Sequence, residues 1–273
     1  MMKIGTMLRN MGPEANAECL LHCARYAEEL GLDHIWTVDH IAIPPDDAEG
    51  SDGRYLDPLA TLAFLAAATR TIDLGVSVLV LPYRPALPTA KWVATIQELS
   101  GGRFHLGVGC GWMKPEFKAL EVDRSRRGAI TNETIAFIRA CFDADDDIVE
   151  SNGQPFLFRP RPACPPIYVG GMNPPALRRA VQMGDGWMPM GLDADVLRPK
   201  VQELSDLAAS ADRKCAEIVV LGGLPEDQSE AEDRLSACAE LGMTQYIQAS
   251  RYRSEGEFDR LAERLADLKT LLK

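Results

Sequence analysis

Short β-branched and apolar runs alternate with stretches of helical periodicity from one end of the chain to the other. The runs fall at Lys3–Leu8, His34–Val38, Ile72–Leu79, Phe104–Val108, Ile167–Val169, Gly186–Pro189, Ile218–Leu221 and Gln245–Gln248. Helical stretches follow them near 14–30, 58–70, 87–100, 124–142, 174–183, 194–211, 228–241 and 256–271. Asp57 before Pro58 supplies an N-cap with proline at the first helical position, and Pro174-Pro175 opens the fifth helix in the same way. Gly31 and Gly242 sit where a left-handed helix stop is expected. Strands separated by helices pair in parallel through right-handed crossovers. Eight units in 273 residues leave about 34 residues for each, and a (β/α)8 barrel occupies around 250 in all. On pattern alone an open doubly wound sheet is the alternative. No break in composition marks a boundary, so one domain over residues 1–273 is expected.

Two connections exceed the usual short βα and αβ loops. Residues 41–56 are rich in Pro, Asp and Gly and form a candidate lid. Residues 143–166 contain an Asn152-Gly153 turn between Ile148-Val149 and Phe156-Leu157-Phe158, which predicts a small hairpin inserted after the fourth βα unit.

Composition narrows the partners. Apolar residues make up 46% and charged residues 25%, an ordinary globular balance. Twenty-nine Lys and Arg against 40 Asp and Glu give a net charge of −11, which argues against nucleic acid or an anionic membrane as the main partner. No apolar run approaches the roughly 18 residues of a spanning helix. The opening residues Met1 to Gly5 lack the apolar segment of a signal peptide, so a soluble cytoplasmic protein is expected. Seven cysteines, at 19, 23, 110, 141, 164, 215 and 238, show no framework spacing and read as reduced thiols. Cys19, His22 and Cys23 share a predicted helix but have no second ligand pair at metal spacing, so no metal is expected there. Asp145-Asp146-Asp147 reads as a solvated charged turn.

In a barrel, chemistry sits where strands end and βα loops begin. Of the four histidines, His22, His34 and His105 fall within or before elements, and His40 alone lies just past a strand's carboxyl end, beside Asp39. An imidazole there exchanges protons near neutral pH, and Asp39 can hold it or bind a ligand directly; both can equally serve local backbone groups. Gly107, Gly109 and Gly111 form G-x-G-x-G after the fourth strand, a weak dinucleotide fingerprint but one that lets a flat ring or phosphate approach the backbone. Gly170-Gly171 leads into the Pro174-Pro175 helix start, with Arg178 and Arg179 one turn on, a candidate anion site. G-x-S-x-G, H-E-x-x-H and a Walker loop are all missing.

The order Trp36-Thr37-Val38-Asp39-His40, Leu74 to Leu79 (LGVSVL), Arg84-Pro85, Lys91 to Arg103 (KWVATIQELSGGR), Leu106 to Trp112 (LGVGCGW), Glu116-Phe117, Arg127-Gly128, Pro165 to Gly171 and Gly184 to Trp187 resembles the bacterial luciferase-like monooxygenase family. It is most similar to the family's branch that depends on the deazaflavin coenzyme F420. The collinear match runs from about residue 3 to 190, and the last third matches only generically. The resemblance implies a (β/α)8 barrel with a reduced deazaflavin or flavin across the carboxyl ends of the strands. It places Asp39 and His40 beside the ring, with the histidine as the acid–base or ring-contact group. Ser77 and Val78 match a non-prolyl cis peptide beneath the ring. Gly109, Cys110 and Gly111 match the loop near the ring and ribityl chain, and Gly170, Gly171, Met188 and Pro189 the phosphate and side-chain region. A substrate pocket of Asn10 and Trp112 is implied. The family's sugar-phosphate dehydrogenases carry an acidic residue where this chain has Trp112 and a Trp where it has Pro44, so a phosphosugar is not expected; Trp112 points to a flatter, more apolar pocket. Cys110 reads more simply as a small filler between glycines than as a reactive thiol.

The expected function is hydride transfer between coenzyme F420 and a small organic substrate, with a homodimer as a family expectation. The alternatives are a monooxygenase using reduced FMN and O2, and a barrel that binds flavin without turnover. The polyglutamate tail of the deazaflavin is strongly anionic, which calls for a local basic rim on an acidic protein. Arg84, Lys91, Lys114, Arg178 and Arg179 are the candidates, and FMN gains if none faces the mouth.

Overall fold

All eight apolar runs become parallel strands that close on themselves. The computed structural model describes residues 2–191, 193–214, 217–249 and 251–271, so Cys215 lies outside the described residues. The barrel strands are β1 (Lys3–Met7), β2 (His34–Thr37), β3 (Asp73–Val80), β4 (Phe104–Gly109), β7 (Ile167–Gly170), β8 (Gly186–Met188), β9 (Glu217–Gly222) and β10 (Gln245–Gln248). Around the ring they run β1-β10-β9-β8-β7-β4-β3-β2, a closed barrel in chain order once β5 (Ile148–Ser151) and β6 (Gln154–Leu157) are set apart as the expected hairpin. The helices are α1 (Ala17–Glu29), α2 (Pro58–Ala68), α3 (Ala86–Leu99), α4 (Lys114–Ala119), α5 (Arg127–Asp143), α6 (Pro174–Met183), α7 (Ala194–Ser210), α8 (Gln228–Glu240) and α9 (Glu255–Leu271). Asp57 caps α2 as expected, its Oδ1 accepting from the Leu59 and Ala60 N–H groups. The short helix α4 has no counterpart in the periodicity, since six residues show less than two turns of pattern. No helix among the described residues is long and apolar enough to cross a membrane.

Strand alternation sends Ile4, Ile35, Leu74, Val76, Leu106, Ile167 and Val169 outward into the main core under the helices. The opposite face builds a second cluster inside the barrel from Trp36, Tyr168, Met188, Val219, Leu221 and Ile247, with Met7, Val78 and Ala249 packed against it. Gly75 makes room for Trp36, because a Cβ there would land within the indole ring.

The amino-terminal end of the barrel is polar. Trp36 Nε1 donates to His34 Nδ1 at 2.8 Å, and Gln245 Nε2 donates to the Tyr168 hydroxyl at 3.0 Å, which in turn reaches Glu217 at 3.1 Å. His105 Nε2 lies 3.3 Å from Asp73, which also pairs with Lys3. Burial, helped by His105 alongside, pushes the fully enclosed His34 imidazole down to about 3. Above its ordinary value of 6.5, both folded and unfolded chains carry this imidazole neutral. As the pH falls below that, only the unfolded chain takes the proton, so stability drops by up to about 1.4 kcal/mol per pH unit until about pH 3. Urea unfolding at pH 7 and pH 4.5 is expected to show a drop roughly 2–3 kcal/mol larger in the unaltered protein than in His34→Gln. Equal drops would mean that His34 charges freely within the fold.

Candidate functional site at the carboxyl ends of the strands

The carboxyl end of β3 departs from regular geometry. Its ladder with β4 pairs Val76 with Leu106 and then skips to Leu79 with Val108, and between them the Ser77–Val78 peptide is cis. Val78 packs on the interior cluster at the end where the catalytic face of such a barrel lies. Its methyl groups fill the room left by two glycines. A Cβ on Gly109 would sit 2.5 Å from Val78 Cγ2, and one on Gly170 would sit 2.9 Å from Cγ1. Gly109, Gly170 and Val78, three residues singled out from sequence, thus meet on one surface. Ser77 is 7% exposed and its Oγ is buried without a partner. Met188 and Pro189, at the end of β8, are buried nearby in the strand order, Met188 within the same interior cluster.

Asp39 and His40 follow β2, and the structure separates their tasks. Asp39 is 4% exposed. Its carboxylate takes two bonds from Arg84, Nη1 at 2.7 Å and Nη2 at 2.9 Å, and a third from the Val80 N–H at 2.9 Å. Burial pushes the Asp39 carboxyl upward, and the guanidinium and the Val80 N–H oppose that and keep it paired as a carboxylate. Arg84 Nη2 also reaches Asp57, 2.8 Å away at the N-cap of α2. Asp39 therefore ties the end of β2 to the end of β3, and the carboxylate that reaches the imidazole belongs to Glu116.

Glu116 lies on α4 with no exposed surface. Its Oε2 is 2.9 Å from His40 Nδ1 and accepts from the Tyr83 hydroxyl at 2.9 Å. Its Oε1 accepts the Ile41 and Ala42 N–H groups at 2.7 and 3.0 Å. Burial alone would raise this carboxyl, but the bonds from His40, the two backbone N–H groups and Tyr83 outweigh it and bring it down to about 2. Burial and the Glu116 carboxylate push the Tyr83 phenol well up, so it stays a donor. His40 keeps one-fifth of its side-chain surface exposed and is flanked by two aromatic rings, Tyr55 at 5.1 Å and Trp112 at 6.2 Å, both edge-to-face. Glu116 and Tyr83 were not among the site residues expected from sequence; the Glu116-Phe117 pair was visible only as part of a family resemblance.

Several expectations are corrected. Asn10 is fully buried, and its amide is spent on backbone: Nδ2 donates to the carbonyls of Val38 and Leu56, and Oδ1 accepts the Val38 N–H. It staples the wall of the mouth, whereas Trp112 stands 68% exposed at the rim. Residues 41–56 are strapped down, not free like a lid. Arg9 Nη2 holds the Gly50 carbonyl, Arg54 holds that of Ala15, the Gly12 N–H bonds to Arg54 and Met11 bridges to Tyr55.

The expected anion site at the start of α6 is not assembled. Pro174 and Pro175 carry no N–H, Asn173 Oδ1 takes the Ala176 N–H at 3.0 Å, and Arg179 turns inward to Asn132 Oδ1 at 2.6 Å and the Gly128 carbonyl. Gly171 instead gives its carbonyl to Trp187 Nε1 at 2.7 Å. Of the five cations expected at a rim, Arg84 is held by Asp39 and Asp57, Arg179 by Asn132, and Lys91 by the Arg159 carbonyl with the Phe158 ring 5.5 Å away. Lys114 and Arg178 remain exposed and, with Arg124, make no ion pair among the described residues. Cys110 is half-buried after β4, and Gly111 beside it has φ 74°. On the outer side, Cys19 and Cys23 pack together in α1 while His22 bonds Asp259 of α9 at 2.7 Å.

A closed parallel barrel that offers an imidazole, a buried carboxylate behind it and a glycine-lined apolar surface at its carboxyl mouth belongs to the enzyme barrels. The family model for luciferase-like monooxygenases matches residues 2–271, and the chain belongs to that family. The solved structures it resembles divide by cofactor. It is 32% identical over 173 residues to the 5,10-methylenetetrahydromethanopterin reductase of Methanolobus tindarius, an overlap of 61% of this chain and 48% of the other. The coenzyme F420-dependent tetrahydromethanopterin reductase of Methanopyrus kandleri superposes with a TM-score of 0.75 at 16% identity, covering 97% of each chain. The FMN complex of 3,6-diketocamphane monooxygenase from Pseudomonas putida superposes at 0.67 with 16% identity, covering 88% of this chain and 74% of the other. Family and fold support an enzyme, and a deazaflavin or flavin is the cofactor class that these neighbours carry.

Proposed function

We propose that this protein is an oxidoreductase that uses coenzyme F420 to transfer a hydride to or from a small, uncharged organic substrate. The observation that carries the reading is the convergence of His40, held by Glu116, with the Val78–Gly109–Gly170 surface and the unpartnered Ser77 hydroxyl at one mouth of the barrel. A planar ring suits that surface, because the Val78 methyl groups, nested against the two glycines, present an apolar face to it. Gly109, Cys110 and Gly111 would border the ring and its chain, and Ser77 Oγ would give it a polar partner. When bound, the deazaflavin supplies the hydride chemistry. The chain's own residues then orient the substrate and move its proton. Tyr55, Trp112 and Ile41 wall the space next to His40 with aromatic and aliphatic surface. The buried charge of Glu116 disfavours an anionic substrate there, and Asp39 and Arg84 neutralise each other.

The choice of F420 draws on the coenzyme F420-dependent reductase among the structural neighbours and on the cations Lys114, Arg124 and Arg178 on the βα side. Arg124 is close enough for its field to act on the Tyr83 hydroxyl. The second reading, a monooxygenase using reduced FMN and O2, is favoured by the three expected rim cations that the structure commits elsewhere.

Titration with each cofactor separates the two. F420 is expected to give a saturable difference spectrum, with affinity falling as salt rises and about tenfold weaker in Arg124→Ala. FMN bound tightly, with F420 leaving the spectrum unchanged, would establish the second reading in place of the first.

A further inference from the structure

We propose that Glu116 is the positioning residue of this site: it fixes His40 in the tautomer that carries its proton on Nδ1, so that the bare Nε2 is the atom presented to a ligand. The inference rests on the reading of His40 as the acid–base group of the mouth and adds the direction in which it works.

An ionised carboxylate only accepts hydrogen bonds. Oε1 is filled by the Ile41 and Ala42 N–H groups, and Oε2 faces Tyr83 and His40 Nδ1. Every group around Glu116 must therefore donate, and His40 can do so only with a proton on Nδ1. Four donors on one fully buried side chain leave no freedom to reverse the arrangement, and the backbone pair closes it from the loop side. The carboxyl's position near 2 keeps it ionised across the working range of an enzyme.

With the ring neutral, the consequence is a site that begins by accepting a proton. A ligand hydroxyl next to His40 donates to Nε2; if the proton moves, the O–H bond breaks, an Nε2–H bond forms and the electron pair stays on oxygen. The imidazolium then lies 2.9 Å from Glu116, which stabilises the charge without taking the proton. In the reverse direction the same Nε2–H returns the proton. A substrate that enters as an alcohol fits the neutral histidine, and one that enters as a carbonyl fits the charged form.

Glu116→Gln makes this sharp. The two backbone N–H groups need an acceptor, so the amide oxygen of the new side chain takes the Oε1 place and its nitrogen faces His40. That nitrogen donates to Nδ1, so the ring that fits carries its proton on Nε2, and the tautomer is inverted with almost no change in shape. Nitrogen-15 NMR of the cofactor-free protein reads this directly. Recorded at a pH where the ring is neutral, the unaltered protein is expected to show His40 Nδ1 protonated and Nε2 bare, and Glu116→Gln the reverse. Turnover in the variant should fall on the order of 100-fold in kcat with KM within about threefold.

An Nε2–H tautomer in the unaltered protein, or a Glu116→Gln variant with unchanged tautomer and rate, would overturn the proposal. The first measurement needs no variant and no cofactor, so it stands even if Glu116→Gln does not fold. The two readings also fail separately. A protein with Nδ1–H that turns over nothing with F420 or FMN upholds the positioning and ends the oxidoreductase reading. An active F420 enzyme with Nε2–H does the opposite.

Discussion

Replacing Arg84 by methionine is expected to destabilise the protein by about 3–5 kcal/mol, because it leaves the Asp39 carboxylate buried and unpaired. The Asp39 side chain has no exposed surface, and two of its three hydrogen bonds come from this one guanidinium. What remains is a single N–H from Val80, too little to replace the hydration lost on burial. Urea unfolding at pH 7 checks the magnitude. Adding Asp39→Leu to Arg84→Met should recover a large part of the loss, since removing both charges removes the orphan. A single-variant loss below about 1 kcal/mol would show that water reaches the pair and that it does not anchor the wall of the mouth. The reverse substitution is milder, because Arg84 without Asp39 still has Asp57.

The second large effect is kinetic. His40→Ala should lower kcat by about 100- to 10,000-fold while the affinity for the cofactor changes less than threefold, since general acid–base catalysis contributes in that range and the ring-binding surface lies on Val78, Gly109 and Gly170. Steady-state turnover, paired with a cofactor titration of the same preparation, measures both. The variant also takes one of four donors from Glu116, so a fall in stability of about 1–2 kcal/mol is expected and must be separated from the catalytic loss by assaying well below the melting transition. Turnover that survives His40→Ala unchanged would leave the mouth without its assigned proton carrier.

Much of this architecture is legible in the sequence. The eight runs of apolar and β-branched residues are buried on both faces, so they stand out from the amphipathic helices between them, and their count alone favours a closed cylinder. The Asn152-Gly153 hairpin and the Asp57 cap follow from local chemistry and appear where expected. Pairings between distant residues were not legible. Nothing near Tyr83-Arg84-Pro85 says that the arginine answers a carboxylate 45 positions earlier, so in the sequence it is a candidate cation of the rim. Glu116 sits on a helix too short to show a period, 76 residues from the histidine it holds. Adjacency makes Asp39 a candidate holder of His40 in the sequence, yet adjacent residues on an extended chain point to opposite sides. One error needed no structure to avoid: a helix that opens with two prolines has lost two of the N–H groups that an anion would use.

A deazaflavin-type ring is proposed to lie at the carboxyl mouth of the barrel, over the Val78 surface and beside His40. The most direct test is a crystal structure of the protein with bound coenzyme F420. The ring is predicted to rest on Val78 between Gly109 and Gly170, with its reactive carbon and His40 Nε2 facing the same space beneath Trp112 and Tyr55. Density that places the ring on the outer helices, or at the polar amino-terminal end near His34 and Gln245, would contradict the account.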